Sequence, residues 1–250
     1  MTSSDLWTRD DAERYDDPDD WVNSAEVTGP VARFLAEVAD GGPALELAIG
    51  TGRIGVPLWE LGVPVTGIEL SEPMADVLRR KVTEEQIPVV VGDMASAEAP
   101  GVGTYSLVYL VFNTIGNLRT QEEQVACFAN AARHLAPGGR FLVEVGVPGL
   151  RRLPPGSPAI PFDVSAAHLG FDTYDLVTQQ AISHHYTREA DGRFRYGPHN
   201  FRFVWPSELD LMARLAGMTL ESRYAGWDRS EFTNDSTSHV SVWRKPDAHA

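Results

Sequence analysis

The 250-residue chain has one cysteine, Cys127, and only two lysines, Lys81 and Lys245. A single cysteine excludes a disulfide framework and a cysteine-built metal site, and it suits a reducing compartment, so a cytoplasmic location is expected. Cys127 lies among Val125, Phe128 and Ala129 in a helix-like segment and reads as a small buried hydrophobe. No run of about eighteen uncharged apolar residues occurs, so no membrane span is expected. The opening stretch, MTSSDLWTRDDAERYDDPDD, lacks the basic patch and apolar block of a secretory leader. Positive charge is scarce as well. The formal net charge is −14, and no basic stripe offsets it, which disfavours nucleic acid as a partner.

What is present begins with acid. Residues 1–24 read as an acidic arm, with Trp7, Tyr15 and Trp21 among the carboxylates from Asp5 to Asp20. Such an arm suits either a solvated tail or a lid over a cationic ligand. Val27, Val31, Phe34, Leu35 and Val38 then recur at helical spacing and stop at Gly41-Gly42-Pro43. Apolar runs follow at about 44–49, in VPVTGIEL, in IPVVVGD, in YSLVYLVF and in RFLVEVGV. Their near-continuous hydrophobicity suits strands covered on both faces. Helical segments alternate with them. One is capped by Ser71, and another opens on the capping box Thr120-Gln121-Glu122-Glu123 and ends at Pro137-Gly138-Gly139. The alternation predicts a doubly wound, Rossmann-like α/β core over residues 25–147.

Beyond Val147 the texture changes. PGLRRLPPGSPAIP reads as a connector. DLVTQQAISHHYTRE and RFRYGPHNFRFVW read as two strands joined at Ala190-Asp191-Gly192, an antiparallel β hairpin inserted over the active site within residues 148–205. Residues 206–250 then supply a helix ending at Gly217 and a closing strand pair.

The glycine loop carries the functional signal. In ALELAIGTGRIG, Gly50-Thr51-Gly52-Arg53-Ile54-Gly55 has the spacing of a nucleotide-binding turn between strand and helix. A helix starting near Arg53 would aim free amides and a positive dipole end at an anion. Glu69, ending the next strand, is placed to accept two ribose hydroxyls. Asp93 can accept from an adenine amino group, with Leu70 and Met94 lining the ring. Glu46, an acid inside an apolar strand, suits a ligand ammonium better than a pyrophosphate. A cofactor with adenine, ribose, carboxylate, ammonium and sulfonium satisfies all of these.

LELAIGTGRIG, VTGIELSEPM, VVVGDM, YSLVYLVFNTIGNL and HLAPGGRFLVEV, in this order, resemble the successive motifs of class I S-adenosylmethionine-dependent methyltransferases. GIELSEPM and VFNTIGNL are similar to the branch that N-methylates amino sugars. The resemblance covers about residues 44–147. It implies a seven-stranded sheet with an antiparallel last strand and S-adenosyl-L-methionine as cofactor. It also implies that Glu46, Ala48, Gly50, Thr51, Gly52 and Arg53 hold the methionine end. Glu69 would take the ribose, Leu70, Met74, Asp93 and Met94 would enclose the adenine, and Val111 and Phe112 would lie against the sulfonium. Tyr15 resembles an N-terminal tyrosine that folds over the cofactor. The family usually has a small residue or Cys where Ile49 stands.

Methyl transfer needs nucleophile, methyl carbon and sulfur held in line, and positioning of this kind contributes roughly 7–11 kcal/mol. A hydroxyl acceptor benefits from a base, whereas an amine need only arrive neutral. His199 and then His185 are the candidate bases. His184 and His185 point to opposite faces of their strand, while His199 shares its parity with Phe201, Phe203 and Trp205. The expected partner is a small-molecule acceptor, methylated on O or N, with a homodimer left open and no metal, membrane or nucleic acid. The alternatives are a protein that binds the cofactor without transferring methyl, a peptide methyltransferase and a nicotinamide-dependent oxidoreductase. The last is disfavoured because no Tyr-x-x-x-Lys is present.

Overall fold

The computed structural model describes residues 4–16 and 21–248. Positions 1–3 and 17–20 of the acidic arm therefore lie outside the described residues. Within the arm, the Thr8 hydroxyl accepts from the Asp11 amide, and the Asp11 carboxylate accepts from the Thr8 amide. This reciprocal cap starts α1, Arg9–Tyr15. A short 3-10 turn at Trp21–Asn23 leads into α2, Ala25–Ala39, which stops where Asp40 and Gly41 adopt positive φ.

Two strand–helix units and a further strand come next. They are β1 (Ala44–Leu47) with α3 (Gly55–Glu60), β2 (Val65–Glu69) with α4 (Glu72–Leu78), and then β3 (Val89–Val91). The core continues through β4 (Tyr105–Leu110), α5 (Gln121–His134) and β5 (Leu135–Gly146). Thr120 and Glu123 form the expected capping box of α5. Ser71 stands at the N-cap of α4, but its hydroxyl donates to the Trp7 carbonyl instead of capping. Pro137-Gly138-Gly139 does not separate helix from strand. It lies inside β5, where the pairing with β4 shifts between Tyr105 and Leu107.

The insertion is larger than the expected hairpin. β6 (Ala159–Val164), β7 (His168–Tyr174), β8 (Gln180–Arg188) and β9 (Phe194–Arg202) form an antiparallel four-stranded sheet. The first two strands were hidden by their glycine and proline content. Pro161 interrupts β6, and Gly170 in β7 sits under the Phe162 ring, where a Cβ would come within 2.1 Å. Residues 175–178 form a turn rather than strand, held by the Val177 amide donating to Asp175 Oδ1 at 2.9 Å. The chain closes with α6 (Pro206–Leu215), β10 (Thr219–Tyr224) and β11 (Ser238–Arg244).

The main sheet has seven strands in the order β10-β11-β5-β4-β1-β2-β3. β1 to β5 are mutually parallel, and β11 runs antiparallel to both of its neighbours, as expected. One face packs on α5 and α6 through Phe128, Phe141 and Trp243. Phe128 meets both partners near-perpendicular, with ring centres 4.9 and 5.3 Å away. Truncating such a residue to alanine costs about 3–5 kcal/mol. The other face buries Leu35, Leu58 and Tyr109 under α2 and α3. No helix among the described residues is long and apolar enough to cross a membrane.

Candidate cofactor and acceptor site

Strand order reverses between β1 and β4, and a cleft opens there beyond the carboxyl ends of the strands. The cleft and the open space at its mouth together enclose about 810 Å³.

β1 brings Glu46 to the base of the cleft, 3 % exposed, with its Oε2 accepting the Tyr109 hydroxyl at 2.9 Å. Burial pushes this carboxyl up to about 8, against the Tyr109 hydroxyl and the Arg53 guanidinium, which favour the anion. The following turn passes through left-handed backbone at Ala48 (φ +54°) and Gly50 (φ +58°). The Gly50 amide is not bare, because it donates to Glu69 Oε2 at 2.8 Å. Oε1 of the same carboxylate takes the Ser71 amide, also at 2.8 Å. Glu69 thus clamps the first crossover to the second. Burial raises its carboxyl, opposed by the amides of Ser71, Gly50 and Leu70. The helix after the turn begins at Gly55, later than Arg53, and is short. Ile49, larger than the residue usual at that position, fits because Gly55 and Gly67 face it. A Cβ on Gly67 would come 2.5 Å from Ile49 Cγ2.

At the ends of β2 and β3, Leu70, Met74, Asp93 and Met94 form an apolar wall edged by one carboxylate. Asp93 Oδ1 accepts the Ala95 amide at 2.8 Å, which fixes its rotamer. The opposite wall follows β4. Val111 lines it, and Phe112 and Asn113 both take positive φ (59° and 61°), which is uncommon for non-glycine residues and typical of functional sites. Two contacts hold this turn. The Phe112 amide donates to Glu144 Oε2, and the Gly146 amide donates to Asn113 Oδ1, each at 2.6 Å. Arg53 lies over the Phe112 ring at 4.0 Å.

The arm covers this space. Arg9 pairs with Asp76 at 2.9 Å, Arg80 pairs with Glu13, and Ala12 packs on Met74 and Val77. Tyr15 lines the cleft and stands edge-on to Trp7, with ring centres 5.3 Å apart. Burial raises its hydroxyl, with Arg53 opposing.

Of the residues singled out from sequence, Tyr15, Glu46, Ala48, Gly50, Arg53 and Glu69 all line the cleft, as do Leu70, Met74, Asp93, Met94, Val111 and Phe112. Thr51 and Gly52 do not. Thr51 is fully buried, donates to Asp16 Oδ1 at 2.6 Å and gives its carbonyl to Lys81. Gly52 faces Leu78. His185 and His199 also lie off the cleft wall. His185 bonds His168 and Ser183, and His199 sits on the accessory sheet near Asp5. Sequence reasoning missed the lining residues Ser4, Asp5, Thr114 and Asn117. The last two lie in VFNTIGNL, whose wording carried the signal without separating its side chains. Glu144, which acts from β5 on Phe112, had no local signal at all.

Residues 44–139 match the family model described as a methyltransferase domain. The CcbJ methyltransferase structure from Streptomyces caelestis is 36 % identical, with a TM-score of 0.77 over 87 % of this chain and 88 % of that one. The cypemycin N-terminal methyltransferase of a Streptomyces species is 28 % identical over 81 % of this chain and 86 % of its own length. A dTDP-3-amino-3,4,6-trideoxy-alpha-D-glucopyranose N,N-dimethyltransferase from Streptomyces venezuelae is 33 % identical over 48 % of this chain and 49 % of its own. The fold, the cleft and these likenesses define one class: the chain belongs to the class I S-adenosylmethionine-dependent methyltransferases. Its cofactor is S-adenosyl-L-methionine, and its reaction is methyl transfer.

Proposed function

We propose that the protein methylates nitrogen on a compact amine-bearing acceptor. The supporting observation is the composition of the cleft: among its described lining residues there is no histidine, lysine or cysteine. Its ionisable groups are carboxylates, the Tyr15 phenol and the Arg53 guanidinium. That set orients and attracts a cation but offers no dedicated base near neutral pH at the mouth. An amine needs none, since once its proton has gone to solvent it attacks unaided, while a hydroxyl gains from one.

The lining fits the cofactor. S-adenosyl-L-methionine supplies an electrophilic methyl on a sulfonium. In this reading Glu69 and Asp93 face its ribose and adenine, Leu70, Met74 and Met94 sandwich the ring, and Arg53 with Glu46 faces the charged tail. Phe112 and Tyr15 border the methyl-transfer point, where they exclude water and narrow the approach to a line. The accessory sheet within residues 148–205 covers the acceptor side.

Relatives named for peptide N-terminal and amino-sugar nitrogen methylation favour the same acceptor atom. Likeness to the peptide enzyme over most of the chain makes a peptide α-amine the second reading. The test is mass spectrometry of amine acceptors and their hydroxyl isosteres incubated with enzyme and cofactor. Transfer to amines alone supports the reading, and transfer to hydroxyls alone refutes it.

A further inference from the structure

The face of the accessory sheet turned toward the main domain carries a carboxylate for which the fold supplies only half a set of partners. Asp172 in β7 pairs across the sheet with Ser183 in β8, which pairs with His199 in β9, so the three share one row on one face. Asp172 Oδ2 accepts the Tyr174 hydroxyl at 3.0 Å. Oδ1 is buried and has no hydrogen-bond partner among the described residues. An unsatisfied buried acceptor is costly, and native proteins keep one mainly where a ligand or function completes it.

The surroundings define that ligand. This face packs on the main domain beside the cleft mouth, with Phe201 against Gly116 in the turn that also bears the lining residues Thr114 and Asn117. His199 interacts with both Asp172 and Asp5, and Asp5 lines the cleft. Asn200, next to His199 in β9, donates to Asp5 Oδ2 at 3.0 Å, which ties this end of the sheet to the cleft wall. Burial lowers the affinity of His185 and His199 for protons, which disfavours positive charge on the two imidazoles. Arg119, the described cation beside His199, is paired with Asp5 at 3.2 Å. The row is thus net negative, in a chain of charge −14.

We propose that Asp172 is a specificity-determining residue, whose free carboxylate oxygen receives a protonated amine of the acceptor. The same field turns away acceptors that carry a phosphate or diphosphate near that amine. This rests on the amine-acceptor reading above and narrows it to cationic acceptors without phosphate.

The test uses the full chain saturated with S-adenosylhomocysteine and needs no turnover. The imidazole NMR signals of His185 and His199 are followed during titration with a methyl glycoside of an amino sugar, with the same sugar lacking the amine, and with its dTDP-linked form. The amine should shift both imidazoles, and its deaminated form should not. Asp172→Asn should weaken amine binding at least about tenfold, the scale of losing one charged hydrogen bond. The dTDP-linked form should bind more weakly than the simple glycoside. No shift with the amine, an unchanged affinity in Asp172→Asn, or tighter binding of the dTDP-linked form would each overturn the proposal. Melting of Asp172→Asn separates ligand binding from mere structure. The variant should be at least as stable as the parent, whereas a residue kept to hold Tyr174 would lose stability. Amine binding at Asp172 without methyl transfer would refute the amine-methylation reading and leave this one standing.

Discussion

The Arg53 guanidinium carbon lies 4.0 Å from the centre of the Phe112 ring, joining the loop after β1 to the turn after β4 across the cleft. The same guanidinium donates to the Val22 carbonyl at 3.2 Å, and its charge acts on Tyr15, Glu46 and Glu144. Among the described lining residues it is the one cation, it faces four groups of the site, and lysine cannot reproduce its planar stacking. Arg53→Lys should weaken S-adenosylmethionine binding about tenfold, the worth of a desolvated cation–π contact with its linked hydrogen bonds. Calorimetry checks this, and an unchanged affinity would remove Arg53 from the site.

Glu69 is expected to serve both fold and cofactor. Its two oxygens hold the Gly50 and Ser71 amides, so Glu69→Ala leaves two donors to find other partners. Bonds to a charged acceptor are worth about 1.5–3 kcal/mol each. Glu69→Ala should lower the melting temperature and abolish measurable cofactor binding. Glu69→Gln, which keeps one good acceptor, should recover stability more than affinity.

Acid stability should be governed in part by His239. Its side chain is fully buried, Nδ1 lies 2.7 Å from Ser241 Oγ, and burial lowers its pKa from 6.5 to about 4. Between those values the unfolded chain binds a proton that the folded chain refuses, so stability rises with pH. Going down from pH 6.5 it should fall, by at most about 3 kcal/mol, and level off below pH 4. Denaturant midpoints of His239→Asn across this range should show a flatter slope than the parent.

Glu46 predicts the opposite sign. Its folded pKa, raised from 4.5 to about 8, makes the folded state the better proton binder between those values. Its contribution should therefore weaken as pH rises from 4.5 through 8. Glu46→Gln mimics the protonated form and should be more stable than the parent above pH 8. Equal pH profiles for both proteins above neutrality would show that the carboxyl is already ionised.

Two glycine substitutions should separate backbone strain from packing. Gly52 has φ +80°, and a Cβ there would lie 2.3 Å from Leu78 Cδ1. Gly41 has φ +77° with nothing nearby. Gly41→Ala should cost about 1 kcal/mol, the scale of a left-handed alanine. Gly52→Ala adds overpacking of typically 1–3 kcal/mol. Equal melting shifts for the two would contradict the close packing of the loop on α4.

The local rules read well where the chain obeys one period. The capping box at Thr120, the buried runs of β1, β2, β4 and β5, and the antiparallel closing strand were all legible, because hydrophobic pattern and cap chemistry act within a few residues. The glycine loop was legible as a ligand turn, but not in its details. Gly50 spends its amide on Glu69, and Thr51 turns to Asp16 on the arm, because partners distant in sequence compete for those groups. β6 and β7 escaped notice because Pro161 and Gly170 weaken their pattern, and cross-strand pairing compensates only once the sheet has formed. His185 and His199 carried the right chemistry for a base, yet the accessory sheet holds both off the cleft wall.

By itself, the sequence determined the alternation of strands and helices, the carboxylates that end β2 and β3, and the methyltransferase class. Each of these follows from short-range periodicity or from ordered motifs. Only tertiary structure decided that Glu144 would hold Phe112 in a left-handed turn and that Tyr15 would reach the cleft on a docked helix. It also set Asp172 in a row with Ser183 and His199, with one oxygen unpartnered among the described residues. Those outcomes depend on burial and on pairings between distant segments, and neither is encoded in any local stretch of chain.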